Sequence, residues 1–167
     1  MQGLRRFAIL YPKDNFGREY MNAFWDAVED IGGEVVAVES YPGQETDFRG
    51  TIDRLAGLFY KDARQRELDE LELLRSENNI NRRTRKTEAY YALPPIVPFE
   101  AVFIPDDAKT IAQILPTFAY KDIETVKFLG IGTWNSKKLS RRNRDLANQV
   151  YFVDTYYPDS RSMVSQD

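Results

Sequence analysis

Five consecutive apolar residues, Phe7, Ala8, Ile9, Leu10 and Tyr11, stop at Pro12 and give way to a polar run at residues 13–16. An unbroken apolar run predicts a parallel strand covered by helices, because neither face of it can meet solvent. From Gly17 onward Tyr20, Phe24, Ala27, Val28 and Ile31 recur three and four apart, which makes an apolar stripe on a helix. Gly32 and Gly33 end that helix, since glycine takes the left-handed conformation past a helix end without a Cβ clash. Val35, Val36, Ala37 and Val38 supply a second strand. Residues 5–38 therefore predict one βαβ unit with a right-handed crossover.

A polar loop with a Pro42-Gly43 turn follows, in which Thr46 or Asp47 can cap a second helix marked by Phe48, Ile52, Leu55, Leu58 and Phe59. Residues 60–98 break the pattern. Residues 62–77 are rich in Glu, Leu and Arg, with only Leu68, Leu71, Leu74 and Leu73 for an apolar face. Arg82, Arg83, Arg85 and Lys86, a tyrosine pair and a proline-rich exit come next. This reads as a charged insertion at about 60–98 in a single α/β lobe spanning 1–167. It is either a solvated excursion or a partner surface, and as a surface its basic cluster favours an anionic partner.

Regularity returns at residues 99–104, a third strand ending at Pro105. A helix carrying Ile111, Ile114, Leu115 and Phe118 follows, with Pro116 near its end. Val126, Phe128, Leu129 and Ile131 form a fourth strand, which closes on Gly130, Gly132, Thr133 and Trp134. Val150, Tyr151, Phe152 and Val153 form a fifth. Alternating strands and helices predict a three-layer α/β/α fold with a five-stranded, mainly parallel sheet in the flavodoxin-like order 2-1-3-4-5.

Composition narrows the chemistry. A chain of 167 residues with 43% hydrophobic and 29% charged residues suits one folded domain. It has no apolar run long enough for a membrane span and no signal-peptide pattern, as expected of a cytoplasmic protein or of a segment of a longer one. The formal charge of -3 argues against nucleic-acid binding through a basic surface. There is no Cys and no His, which removes thiol nucleophiles, disulfides, imidazole bases and Cys/His metal sites together. No phosphate-cradling glycine loop is present. The expectation is a non-enzyme without cofactor or metal.

In parallel sheets ligands bind beyond the carboxyl ends of the strands. The residues just past those ends include Asp14, Asn15, Phe16, Tyr41, Asp106, Asp107, Thr133, Trp134, Tyr156 and Tyr157, a mixture suited to stacking on and hydrogen-bonding a small polar ligand. Bland readings stand beside that one. Asp106, Asp107 and Asn15 adjoin helix starts, where N-capping is the first reading and ligand contact the second. Trp134 lines a cleft or packs in the core, and Tyr156 and Tyr157 can equally be packing residues. Asp14, Asp106 and Asp107 could imitate the acidic cluster of a receiver domain, but Ile104-Pro105 stand where the phosphoacceptor aspartate belongs.

The order of these motifs resembles the second lobe of type I periplasmic binding proteins of the branched-chain amino-acid group. The resemblance rests on Asp14, Phe16 and Gly17 in a D-x-F-G turn, Gly32-Gly33, the Thr46-Asp47-Phe48 loop, and the stretches FEAVFIPDD and FLGIGTW at residues 99–107 and 128–134. The charged insertion is similar to the branch related to lipoprotein activators of penicillin-binding proteins. The resemblance implies an extracytoplasmic, periplasmic solute-binding lobe that takes an amino-acid-like or other small polar ligand and feeds an ABC permease. It also implies a missing first lobe of the same protein as partner. The candidate ligand contacts are Asn15, Phe16, Asp106, Asp107, Thr133, Trp134 and Tyr156. The alternative it implies is an interaction module whose insertion docks a cell-wall enzyme.

Overall fold

The computed structural model describes residues 3–77, 92–131 and 150–153. The elements are β1 (Arg6–Pro12), α1 (Asn15–Asp30), β2 (Glu34–Tyr41), α2 (Arg49–Leu55), a 3-10 turn (Lys61–Arg64), α3 (Gln65–Glu77), β3 (Ala101–Phe103), α4 (Ala108–Tyr120), β4 (Lys127–Ile131) and β5 (Val150–Val153). The five strands are parallel in the order β2-β1-β3-β4-β5. Fold class and strand order are those the alternation of the sequence predicts.

β1 lies inside the sheet, and Phe7, Ala8, Ile9 and Leu10 are fully buried, as an apolar strand covered on both faces must be. Right-handed crossovers put α1 on one face and α2 and α4 on the other. Phe24 of α1 stacks on Phe103 of β3 at 4.1 Å between ring centroids and meets Phe7 edge-on at 5.7 Å. Phe118 of α4 meets Phe128 of β4 edge-on at 5.2 Å. Lys121, which caps α4, lies 2.8 Å from Asp53 of α2 and joins the two helices of that layer. Ile52, Ile111, Ile114 and Leu115 complete the buried cluster beneath them.

Several boundaries differ from the sequence expectation. The first helix starts at Asn15 rather than Gly17, because Asp14 takes the N-cap position and accepts from the Gly17 N–H at 2.6 Å. Its stop is as expected: Gly32 has φ +75°, and its N–H bonds the Glu29 carbonyl. Ile31 is 52% exposed and lies outside the stripe, since the helix has already ended there. β2 runs on to Tyr41, three residues past its last valine. In front of α2 the capping position belongs to Phe48, without a side-chain bond. Asp47 instead grips Arg49 through both carboxylate oxygens, at 2.9 and 2.6 Å. α2 stops at Leu55, and Gly57, with φ +69°, turns the chain out before Leu58 and Phe59.

The chain segments at Gly57 and Pro94 are joined at one neck. Arg64 is only 7% exposed, and its Nη1 donates to the carbonyls of Gly57 and Pro94 on the outgoing and returning segments, while Nε and Nη2 hold Glu67. The Ile96 N–H bonds the Ala56 carbonyl just above this clasp. α3, beyond the neck, has no buried residue, and Leu73 and Leu74 are exposed. The charged helix of the sequence reading is therefore present. The basic cluster at residues 82–86 lies outside the described residues.

Candidate functional site at the carboxyl edge

The carboxyl ends of β1, β2 and β3 come together because the strands are parallel and adjacent. Lys13 N–H donates to the Tyr41 carbonyl at 2.8 Å, which ties the exit of β1 to the last residue of β2. The Tyr41 hydroxyl then reaches past β1 and donates to Asp106 Oδ2, at 2.5 Å, beyond the end of β3. The Asp107 N–H donates to the other oxygen, Oδ1, at 2.7 Å. Asp107 in turn caps α4, accepting from the Thr110 N–H at 2.8 Å. Two helices thus begin at this edge on aspartate caps, where a carboxylate also complements the helix dipole.

The electrostatics follow from that crowding. Burial pushes the Asp106 carboxyl up, and the negative charges of Asp107 and Asp14 add to it, while the Tyr41 hydroxyl and the Asp107 N–H oppose the rise. Burial raises the Tyr41 phenol far above its ordinary range, and the hydrogen bond to Asp106 and the three nearby carboxylates raise it further. The edge is an acidic patch resting on a neutral, buried hydroxyl. Among the described residues no group of acidic side chains is arranged to hold a metal ion.

Of the candidate contacts, Asp106 and Asp107 lie together here. Asn15 and Phe16 occupy the first turn of α1, directly after the Asp14 cap. Of the helix-start residues, Asp14 and Asp107 are the caps, and Asn15 and Asp106 are not. Phe16 is 46% exposed, and its ring leans at 4.7 Å on Tyr20, which is half-buried against the core. Thr133, Trp134 and Tyr156 lie outside the described residues. Tyr41 is the residue that sequence reasoning underweights. It reads as part of a polar loop, yet it is 1% exposed and packs edge-on against Phe48 at 5.1 Å. The available signal is the period of two that carries β2 through Glu39, Ser40 and Tyr41.

A parallel five-stranded sheet in this order is the fold of one lobe of a type I periplasmic binding protein. Solved structures with this fold include a type 1 periplasmic binding protein from Bordetella pertussis (12% identity, TM-score 0.58, covering 90% of this chain and 30% of that one). A substrate-binding periplasmic protein from Ralstonia solanacearum is similar at 16% identity and TM-score 0.57, covering 89% of this chain and 31% of that one. A leucine-binding protein from Thermotoga maritima is similar at 16% identity and TM-score 0.54, covering 96% and 35%. The chain spans about a third of the length of these proteins. No protein-family model and no curated protein matches it. Among the described residues no helix is long and apolar enough to cross a membrane.

Proposed function

We propose that this chain is one lobe of an extracytoplasmic solute-binding protein, that it takes a small polar, amino-acid-like ligand at the carboxyl edge of its sheet, and that the protein delivers the ligand to an ABC permease. The observation that carries this reading is the bond from Tyr41 to Asp106, which joins two non-adjacent strand ends into one acidic face, with the exposed Phe16 in the helix turn that follows the Asp14 cap. Negative charge suits the ammonium end of an amino acid, and an exposed aromatic ring suits its side chain. The substrate-binding and leucine-binding relatives support the same reading by fold. A lobe of this kind meets its ligand from one side only, so the first lobe of the same protein is the expected partner across the cleft. Asn15, Phe16, Asp106 and Asp107 are the proposed contacts on this side, with Thr133, Trp134 and Tyr156 assigned by their positions after the fourth and fifth strands.

Calorimetry and thermal shift with a panel of amino acids test the proposal. A ligand-dependent rise in melting temperature that is lost in Asp106→Ala and in Phe16→Ala supports it. No heat and no shift with any amino acid at millimolar concentration, for this chain and for the two-lobed protein alike, refutes it.

A second reading, an interaction module that docks a cell-wall enzyme through the insertion, draws on one observation. α3 stands beyond the Arg64 neck without a single buried residue, so the lobe's own core does not explain it. Binding to such an enzyme that is abolished when residues 61–93 are replaced by a short linker, with the lobe still folded, supports this alternative.

A further inference from the structure

Asp106 is half-buried at a position where two other carboxylates already concentrate negative charge, and it sits two strands away from the residue that donates to it. A carboxylate so placed tends to take up a proton or swing out to water unless donors hold its charged form. One donor, the Asp107 N–H, belongs to the same loop and moves with it. A second, the Tyr41 hydroxyl, belongs to a different strand and is fixed by the core. The Tyr41 ring packs against Phe48, its carbonyl accepts from Lys13, and its Cα pairs with Pro12 in the sheet. Burial also keeps the phenol protonated at any working pH, so it remains a donor.

We propose that Tyr41 is a positioning residue: its core-anchored hydroxyl holds the Asp106 carboxylate ionised and in a fixed orientation at the carboxyl edge. A phenylalanine would fill the same space in the core, so the hydroxyl itself is what acts on the site. Among the described residues, the charges that bear on Asp106 include Asp107, on its own loop, and Asp14, just past the end of β1, and both oppose ionisation. The Tyr41 bond therefore works against two like charges and burial together. The inference rests on the reading of this edge as a ligand face, but it makes a separate claim about Asp106.

The test is a carbon-detected NMR titration of the aspartate carboxyls in the full 167-residue chain, comparing the parent with Tyr41→Phe. The expected result is that Asp106 titrates at a higher pH in the variant, while Asp47, an exposed carboxylate held by Arg49, is unmoved. An unchanged Asp106 titration with a merely lower melting temperature overturns the proposal, because a space-filling role predicts that pattern. Should Tyr41→Phe fail to fold, the parent supplies the readout: a protected Tyr41 hydroxyl proton whose resonance moves as Asp106 titrates upholds the bond, and a rapidly exchanging one overturns it. L-Leucine titrated into both proteins separates this claim from the functional one. A shifted Asp106 with no leucine heat in either protein upholds Tyr41's role and counts against leucine as the ligand.

Discussion

Gly17→Ala is the substitution for which local propensity and tertiary packing predict opposite signs. At an ordinary helix position the change gains about 1 kcal/mol. Gly17, however, is buried in the first turn of α1, where that turn presses on the end of β1. A Cβ there would fall 2.0 Å from the Pro12 carbonyl oxygen, 2.9 Å from Pro12 Cγ and 3.0 Å from the Pro12 carbonyl carbon. Restoring a 3.0 Å contact requires the helix start and the strand end to separate by about 1 Å, in an interior packed too densely to absorb it. Overpacking of this kind costs about 1–3 kcal/mol and occasionally more. The same displacement stretches the Asp14 cap bond to the Gly17 N–H, a bond worth about 1 kcal/mol. Set against the propensity gain, the net loss is about 1–3 kcal/mol, or a melting temperature lower by roughly 2–12 °C for a domain of this size. Urea and thermal unfolding of Gly17→Ala beside Gly50→Ala measure it. At Gly50, in α2, a new Cβ meets nothing nearer than the Arg54 guanidinium at 4.0 Å, so that variant should gain up to about 1 kcal/mol. If Gly17→Ala were as stable as the parent, the close approach of α1 to Pro12 would not be the reason for glycine in this turn.

Ile52→Ala, at a fully buried position under α2, should cost about 2–5 kcal/mol, whereas Leu73→Ala on the exposed α3 should change stability by less than about 0.5 kcal/mol; urea midpoints compare them. Arg64→Met should open the neck of the insertion by about 2 kcal/mol, seen as roughly 30-fold faster limited proteolysis between residues 61 and 94 with the rest of the lobe intact. The Arg5 and Arg6 N–H groups hold the Glu100 carboxyl below its ordinary value of 4.5, so its stabilising contribution is complete above that pH and lost as pH falls through the lowered value. Glu100→Gln should accordingly flatten the acid side of the stability profile. Asp106, with its raised value, acts in the opposite direction: its contribution is present at low pH and fades as pH rises through the folded-state value.

The sequence alone determined the layers and the strand order, because local periodicity marks each strand and helix and their alternation implies a parallel sheet. An apolar run at residues 7–11, a three-and-four spacing from Tyr20 to Val28 and a β-branched run at 35–38 require no partner to be recognised. It could also place Asp14, Asp106 and Asp107 near strand ends, since position along a parallel strand decides which edge a residue reaches. Only the tertiary structure decided which of these aspartates are caps, because that depends on where the first N–H of each helix points. It alone made Tyr41 a buried strand end rather than a loop residue, as its partner Asp106 lies 65 residues away and across β1. It also gave Arg64 the task of closing an excursion whose two ends, at Gly57 and Pro94, no local pattern connects. Periodicity carries information over a few residues. A hydrogen bond across the sheet is set by the packing of elements far apart in the chain, and at this edge the Tyr41–Asp106 bond joins strand ends that no local pattern connects.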